Sequence, residues 1–85
     1  MLKIKDNVDL KELEKYGFEE RTYEYTKIYD LREYTIWVSV VKDDPSYNDR
    51  YIYIKNDYYD ADFDALAPDV MYDLIKDGLI EKVNN

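Results

Sequence analysis

Residues 33–42 read EYTIWVSVVK, in which Tyr34, Ile36, Val38 and Val40 alternate with Thr35, Trp37, Ser39 and Val41. Successive side chains of a strand point to opposite faces, so a period of two predicts a β-strand. This is the most apolar strand of the chain, built from β-branched and aromatic residues that suit a pleated surface, and it is expected at the centre of a sheet. On its N-terminal side, residues 21–29, RTYEYTKIY, set Tyr23, Tyr25 and Lys27 against Thr22, Glu24, Thr26 and Ile28. That pattern predicts a second strand with one wet face, joined to the first by a tight connection at residues 30–32. On the C-terminal side, residues 43–49, DDPSYND, are the clearest turn, since Pro45 fixes φ while Asp, Ser and Asn side chains bond locally to the backbone. A β-hairpin follows, with a third strand at residues 50–56, RYIYIKN, whose Ile52 and Ile54 face the helices and whose Tyr51 and Tyr53 face away.

Outside these strands the pattern becomes helical. Asp9 is placed to cap a short helix, with Glu12 at capping-box spacing, Leu10, Leu13, Tyr16 and Phe18 as its apolar residues, and Gly17 as its left-handed stop. A second helix is expected to start near residues 64–67, where Pro68 sits in the first turn. It carries Leu66, Val70, Met71, Leu74 and Ile75 inward and ends at Gly78. Leu2 and Ile4 form a short preceding strand, and Leu79, Ile80 and Val83 a final edge strand or a docked tail. The expected architecture is α+β, with a three- to four-stranded antiparallel sheet and two helices packed on one face in the order (β)αβββα(β). Residues 1–85 would make a single compact domain. The sheet face away from the helices would display Trp37, Tyr51 and Tyr53, joined by Tyr23 and Tyr25.

Eleven tyrosines stand against two phenylalanines, and each tyrosine couples apolar area to a hydroxyl that needs water or a partner, so many of these rings are expected half-buried. With 46% hydrophobic residues, the chain has material for a core despite 38% charged residues. Its formal charge of -8 disfavours direct contact with nucleic-acid phosphates or anionic lipid and favours a basic partner. The charge is uneven. Residues 44–85 hold 10 acids against 4 bases, net -6, while residues 1–43 hold 10 against 8, net -2. The absence of cysteine rules out disulfides and thiolate sites and fits a reducing cytoplasm. The apolar runs fall far short of the roughly 20 residues of a membrane span, and residues 1–10, MLKIKDNVDL, lack the apolar stretch of a signal peptide.

The strongest candidate for chemistry is residues 57–64, DYYDADFD, with four aspartates and no base. Carboxylates at alternate positions suggest a calcium loop, but the spacing fails. Counting from Asp60 as position 1, position 6 is Ala65 rather than glycine and position 12 is Met71 rather than glutamate. Counting from Asp62 puts Leu66 at position 5 and Asp73 at position 12. No metal or other cofactor is therefore expected. Without histidine, cysteine or a Gly-rich phosphate loop, enzyme readings rest on isolated hydroxyls at Thr35, Ser39 and Ser46, or on the carboxylate pair Asp62 and Asp64. None has a supporting context, and the chain reads as a non-enzyme. Two contact surfaces remain. One is acidic: Asp57, Asp60, Asp62, Asp64, Asp69, Asp73 and Asp77, opposed within that stretch only by Lys76, could occupy a basic nucleic-acid groove on another protein. The other is the aromatic face of Trp37, Tyr51 and Tyr53, suited to self-association or assembly. Stacking on single-stranded nucleic acid would need a basic groove, and Lys42, Arg50 and Lys55 are too few to form one.

Residues 10–18, LKELEKYGF, and 71–83, MYDLIKDGLIEKV, resemble small uncharacterised acidic proteins of Gram-positive phages and prophages. The resemblance covers about a third of the chain, rests on caps and core stripes, and carries over no site residues. It implies a setting in the host-cell cytoplasm, where small acidic proteins include inhibitors of host nucleases and defence systems, among them DNA mimics and anti-CRISPR proteins. The leading expectation is such an inhibitor, acting on a basic nuclease or nucleic-acid-binding protein. The alternative is a small structural or assembly module, homodimeric through the aromatic face or a strand edge, and a third reading is a small-molecule or nucleotide-signal binder whose tyrosines stack on a ligand.

Overall fold

A computed structural model describes residues 2–30, 35–56 and 71–83. It is mixed α+β, with antiparallel strand pairing throughout the described sheets. The strand expected at the centre is there. β4 (Thr35–Val41) lies between β3 (Glu24–Asp30) and β5 (Ile52–Asn56) in a four-stranded sheet of order β2-β3-β4-β5. The fourth member, β2 (Glu19–Glu20), pairs Glu19 with Thr26 and Glu20 with Tyr25. The period of two sets in at Glu19 but predicts no separate strand there, because two glutamates do not distinguish a partner strand from the start of the next one. β1 (Leu2–Ile4) and β6 (Ile80–Lys82) do not extend this sheet but pair with each other as a separate ribbon. The ribbon meets the larger sheet through a bridge between Lys3 and Tyr51 and a hydrogen bond from Ile4 N to Arg50 O at 2.9 Å.

Register decides what each face presents. Tyr25, Lys27 and Tyr29 of β3 lie opposite Val40, Val38 and Ile36, which in turn lie opposite Ile52, Ile54 and Asn56. Ile36, Val38, Val40 and Ile52 are buried in one cluster with Ile4, Leu13, Phe18, Tyr25, Met71, Leu74 and Leu79. Removing each such aliphatic side chain from water stabilises the fold by about 1.5–3 kcal/mol. Tyr25 corrects the expectation that it joins the outer face, being only 2% exposed on the core side. The misleading neighbour was Lys27, which gave this face a wet appearance. Lys27 is half-buried, and its Nζ donates to the carbonyl of Tyr16 at 2.6 Å and lies 4.7 Å from the centroid of Tyr29.

The first helical segment, Leu10–Tyr16, is a 3-10 helix rather than an α-helix. Its apolar residues Leu10, Leu13 and Tyr16 recur every three positions, which aligns them on one face at three residues per turn. Asp9 caps it as expected, accepting from Lys11 N at 3.0 Å. The second, α1 (Tyr72–Lys76), buries Leu74, and Met71 just ahead of it is also buried. Ile75 is 46% exposed and leaves the expected stripe, because one residue past Leu74 is a turn of about 100° around the helix. The two segments end alike. Gly17 N donates to Glu14 O and Phe18 N to Leu13 O; Gly78 N donates to Ile75 O and Leu79 N to Leu74 O. Each is a Schellman closure with glycine in the left-handed region, at φ 91 and 75, and each brings two buried apolar residues together across the turn.

The hairpin turn is held by Asp44 Oδ1 accepting from Ser46 N at 2.8 Å and Asp49 Oδ1 accepting from Asp43 N at 3.0 Å. Arg50 adopts φ 71 at the start of the returning strand, and its Nη1 donates to Lys5 O and Val8 O at 2.8 and 2.7 Å. Of the expected connection at residues 30–32, Asp30 is the last residue of β3 and pairs with Thr35, while residues 31–32 lie outside the described residues, as does the expected helix start near residues 64–67. Among the described residues no helix is long and apolar enough to cross a membrane.

Candidate functional site

The sheet face turned away from the core carries the main surface feature. Outward positions form rows across three strands, Thr26–Ser39–Tyr53 and Ile28–Trp37–Lys55, flanked by the pair Glu24–Val41. Small side chains at Thr26 and Ser39 stand among large rings at Trp37 and Tyr53. Tyr23, just before β3, and Tyr47, from the hairpin turn, add two more. The size difference leaves a hollow of about 560 Å³. Tyr47 meets Tyr53 edge to face, with centroids 5.5 Å apart and planes at 69°, the offset geometry aromatic pairs favour. Tyr23 and Tyr47 are more than half exposed.

The lining is aromatic with a net negative charge. Glu24 and Asp44 bring two carboxylates and Lys55 one ammonium group. Neither Glu24 nor Lys55 forms an ion pair with a described residue. Thr26 contributes the one buried side-chain polar atom without a hydrogen-bond partner among the described residues, its Oγ1. Such a hollow can take up apolar groups against its rings and cationic groups against its rings and carboxylates together.

A second arrangement lies where β2 meets β3. Lys42 Nζ is 2.9 Å from Glu20 Oε1 and 5.6 Å from the centroid of Tyr25, whose hydroxyl donates to Glu20 Oε2 at 2.9 Å. The Lys42 ammonium first, and the Tyr25 hydroxyl second, hold the Glu20 carboxyl below its usual range. Burial, and then the hydrogen bond to Glu20, push the Tyr25 phenol up to about 12.

The residues expected to form contact surfaces separate clearly. Trp37 and Tyr53 both line the hollow, and Tyr23 joins them. Tyr51 is not among the lining residues and is bridged to Lys3 of β1. Of the acidic set, Asp73 and Asp77 are exposed, while Asp57, Asp60, Asp62, Asp64 and Asp69 lie outside the described residues. Asp77 has an internal role, accepting from the Tyr16 hydroxyl at 2.6 Å, which pushes that phenol up to about 12. The sequence reading missed Glu24, Asp44, Tyr47 and Lys55 as members of one site. Tyr47 alone carried a signal, as a ring set among turn-forming residues.

Beyond these local features the chain offers no analogy to argue from: no family model, curated protein or solved structure matches it.

Proposed function

We propose that the chain is a non-catalytic binding protein of phage or mobile-element origin. In this reading it inhibits a basic host nuclease or nucleic-acid-binding protein by presenting carboxylates where that protein would otherwise hold phosphates. Leu13 and Leu74 of the two helical segments are buried in one cluster with Ile36, Val38 and Val40 of the central strand, while the opposite sheet face carries the hollow. The observation that carries the reading is the charge: net -8, of which residues 44–85 hold -6, with Asp73 exposed on α1 and unpaired with any described base. The test is affinity capture from a Gram-positive lysate at low and high salt, with duplex DNA as competitor. The expected partners are basic proteins released by salt and displaced by DNA. Partners indifferent to both would contradict the proposal.

Self-association through the aromatic face is the second reading, supported by the hollow and its two exposed tyrosines. It predicts a dimer that Trp37→Ala converts to monomer in sedimentation equilibrium. A wild-type protein monomeric at all concentrations removes it.

A further inference from the structure

We infer that the hollow on the outer sheet face is a receptor for a single cationic side chain, a guanidinium or ammonium group, of a basic polypeptide partner. The inference rests on the proposed basic partner and assigns it a second, geometrically defined contact.

The chain already seats two of its own cations against tyrosine rings. Lys42 is held between the ring of Tyr25 and the carboxylate of Glu20, and Lys27 between the ring of Tyr29 and the carbonyl of Tyr16. A tyrosine face beside an anionic or carbonyl oxygen is thus the environment of two ammonium groups at this sheet, those of Lys27 and Lys42. The hollow repeats those elements at larger scale. Four rings, Tyr23, Trp37, Tyr47 and Tyr53, surround it, and Glu24 and Asp44 supply carboxylates.

Rings attract cations through the negative face of their quadrupole, and a carboxylate adds a directional acceptor. Arginine suits the site best, because its planar guanidinium can stack on a ring while its N–H groups reach Glu24 or Asp44. An anionic ligand would meet both carboxylates. A purely apolar one would leave them without a complementary charge. The single opposing charge, Lys55, lowers cation affinity and so offers a signed test.

Trp37 is the only tryptophan of the chain, so its fluorescence reports on the hollow directly. The probe is a neutral-capped Gly-Gly-Ser-Arg-Ser-Gly-Gly peptide, whose single charge keeps long-range attraction small, with norleucine replacing arginine in the control. The expected result is a saturable Trp37 response in the millimolar range to the arginine peptide and none to the control. Glu24→Gln should weaken binding about threefold, Lys55→Gln should strengthen it by a similar factor, and Asp73→Asn on α1 should leave it unchanged.

No saturable response, equal binding of the norleucine peptide, or equal weakening by Asp73→Asn and Glu24→Gln would each overturn the inference. So would a dimer, seen by sedimentation, that Tyr23→Ala dissociates, since the hollow would then hold a second copy of the chain. The two proposals fail separately. A DNA-displaced partner whose affinity ignores Tyr23→Ala and Glu24→Gln overturns the receptor and leaves the acidic inhibitor standing. A hollow that binds the arginine peptide, in a protein with no DNA-displaced partner, does the reverse.

Discussion

Thr26 illustrates how one side chain can oppose stability in the lining of the hollow. Its Oγ1 is buried without a partner among the described residues, and a hydroxyl removed from water without compensation costs about 1–3 kcal/mol. Threonine and valine have nearly the same shape and both favour strands. Thr26→Val should therefore raise the unfolding free energy by about 1 kcal/mol, read as a higher urea midpoint at unchanged m-value. A loss of similar size would mean that the hydroxyl has a partner in solution. Lys27 and Arg50 show the opposite case, charged groups each satisfied by main-chain carbonyls of a different segment. Both contacts join distant parts of the chain, and neither could be foreseen from sequence spacing.

At the scale of elements, the two glycine stops are alike in hydrogen bonding but differ in surroundings. A Cβ at Gly17 would meet the Lys27 side chain at 3.3 Å, whereas at Gly78 its nearest neighbour is Lys5 Nζ at 3.9 Å. Left-handed backbone costs a non-glycine residue about 1–2 kcal/mol, so both Gly17→Ala and Gly78→Ala should destabilise. Gly17→Ala should cost more, because it also crowds Lys27 above the Tyr16 carbonyl. Urea titrations that ranked the two in the reverse order would show that Lys27 yields freely. These stops were legible because glycine takes up the left-handed backbone without the Cβ penalty, and β4 was legible because seven residues of alternation fix both faces. The two-residue β2 was not, since its pairing comes from the neighbouring backbone. The aromatic site was half legible: Trp37 and Tyr53 follow from strand alternation. Tyr47 reaches the hollow from a turn, and Glu24 and Asp44 acquire meaning only through their spatial neighbours.

For the whole molecule, the shifted groups define where stability should depend on pH. Tyr16 and Tyr25 are pushed from their ordinary 10.0 to about 12, and Lys3 is raised above 10.5 by its hydrogen bonds to Asp6 and Glu81. In all three the native fold favours the protonated form, so their contribution is complete below pH 10. It is lost as pH rises through the folded-state values, about 12 for the two tyrosines. Glu20 is lowered from 4.5, so its contribution is complete above that value and lost as pH falls below it. Urea midpoints should thus be flat from about pH 5 to 9 and fall on either side, with Glu20→Gln flattening the acid limb. A decline between pH 6 and 8 would contradict this, because the chain has no histidine to titrate there. The wider consequence of the charge distribution is the proposed acidic contact surface. Its most direct test is the affinity for the captured partner across a salt series, comparing wild type with a variant carrying Asp62→Lys, Asp64→Lys, Asp69→Lys and Asp73→Lys. The expected result for the variant is a loss of at least about tenfold at low salt and a shallower salt dependence. Equal affinity and equal salt dependence in the two proteins would contradict it.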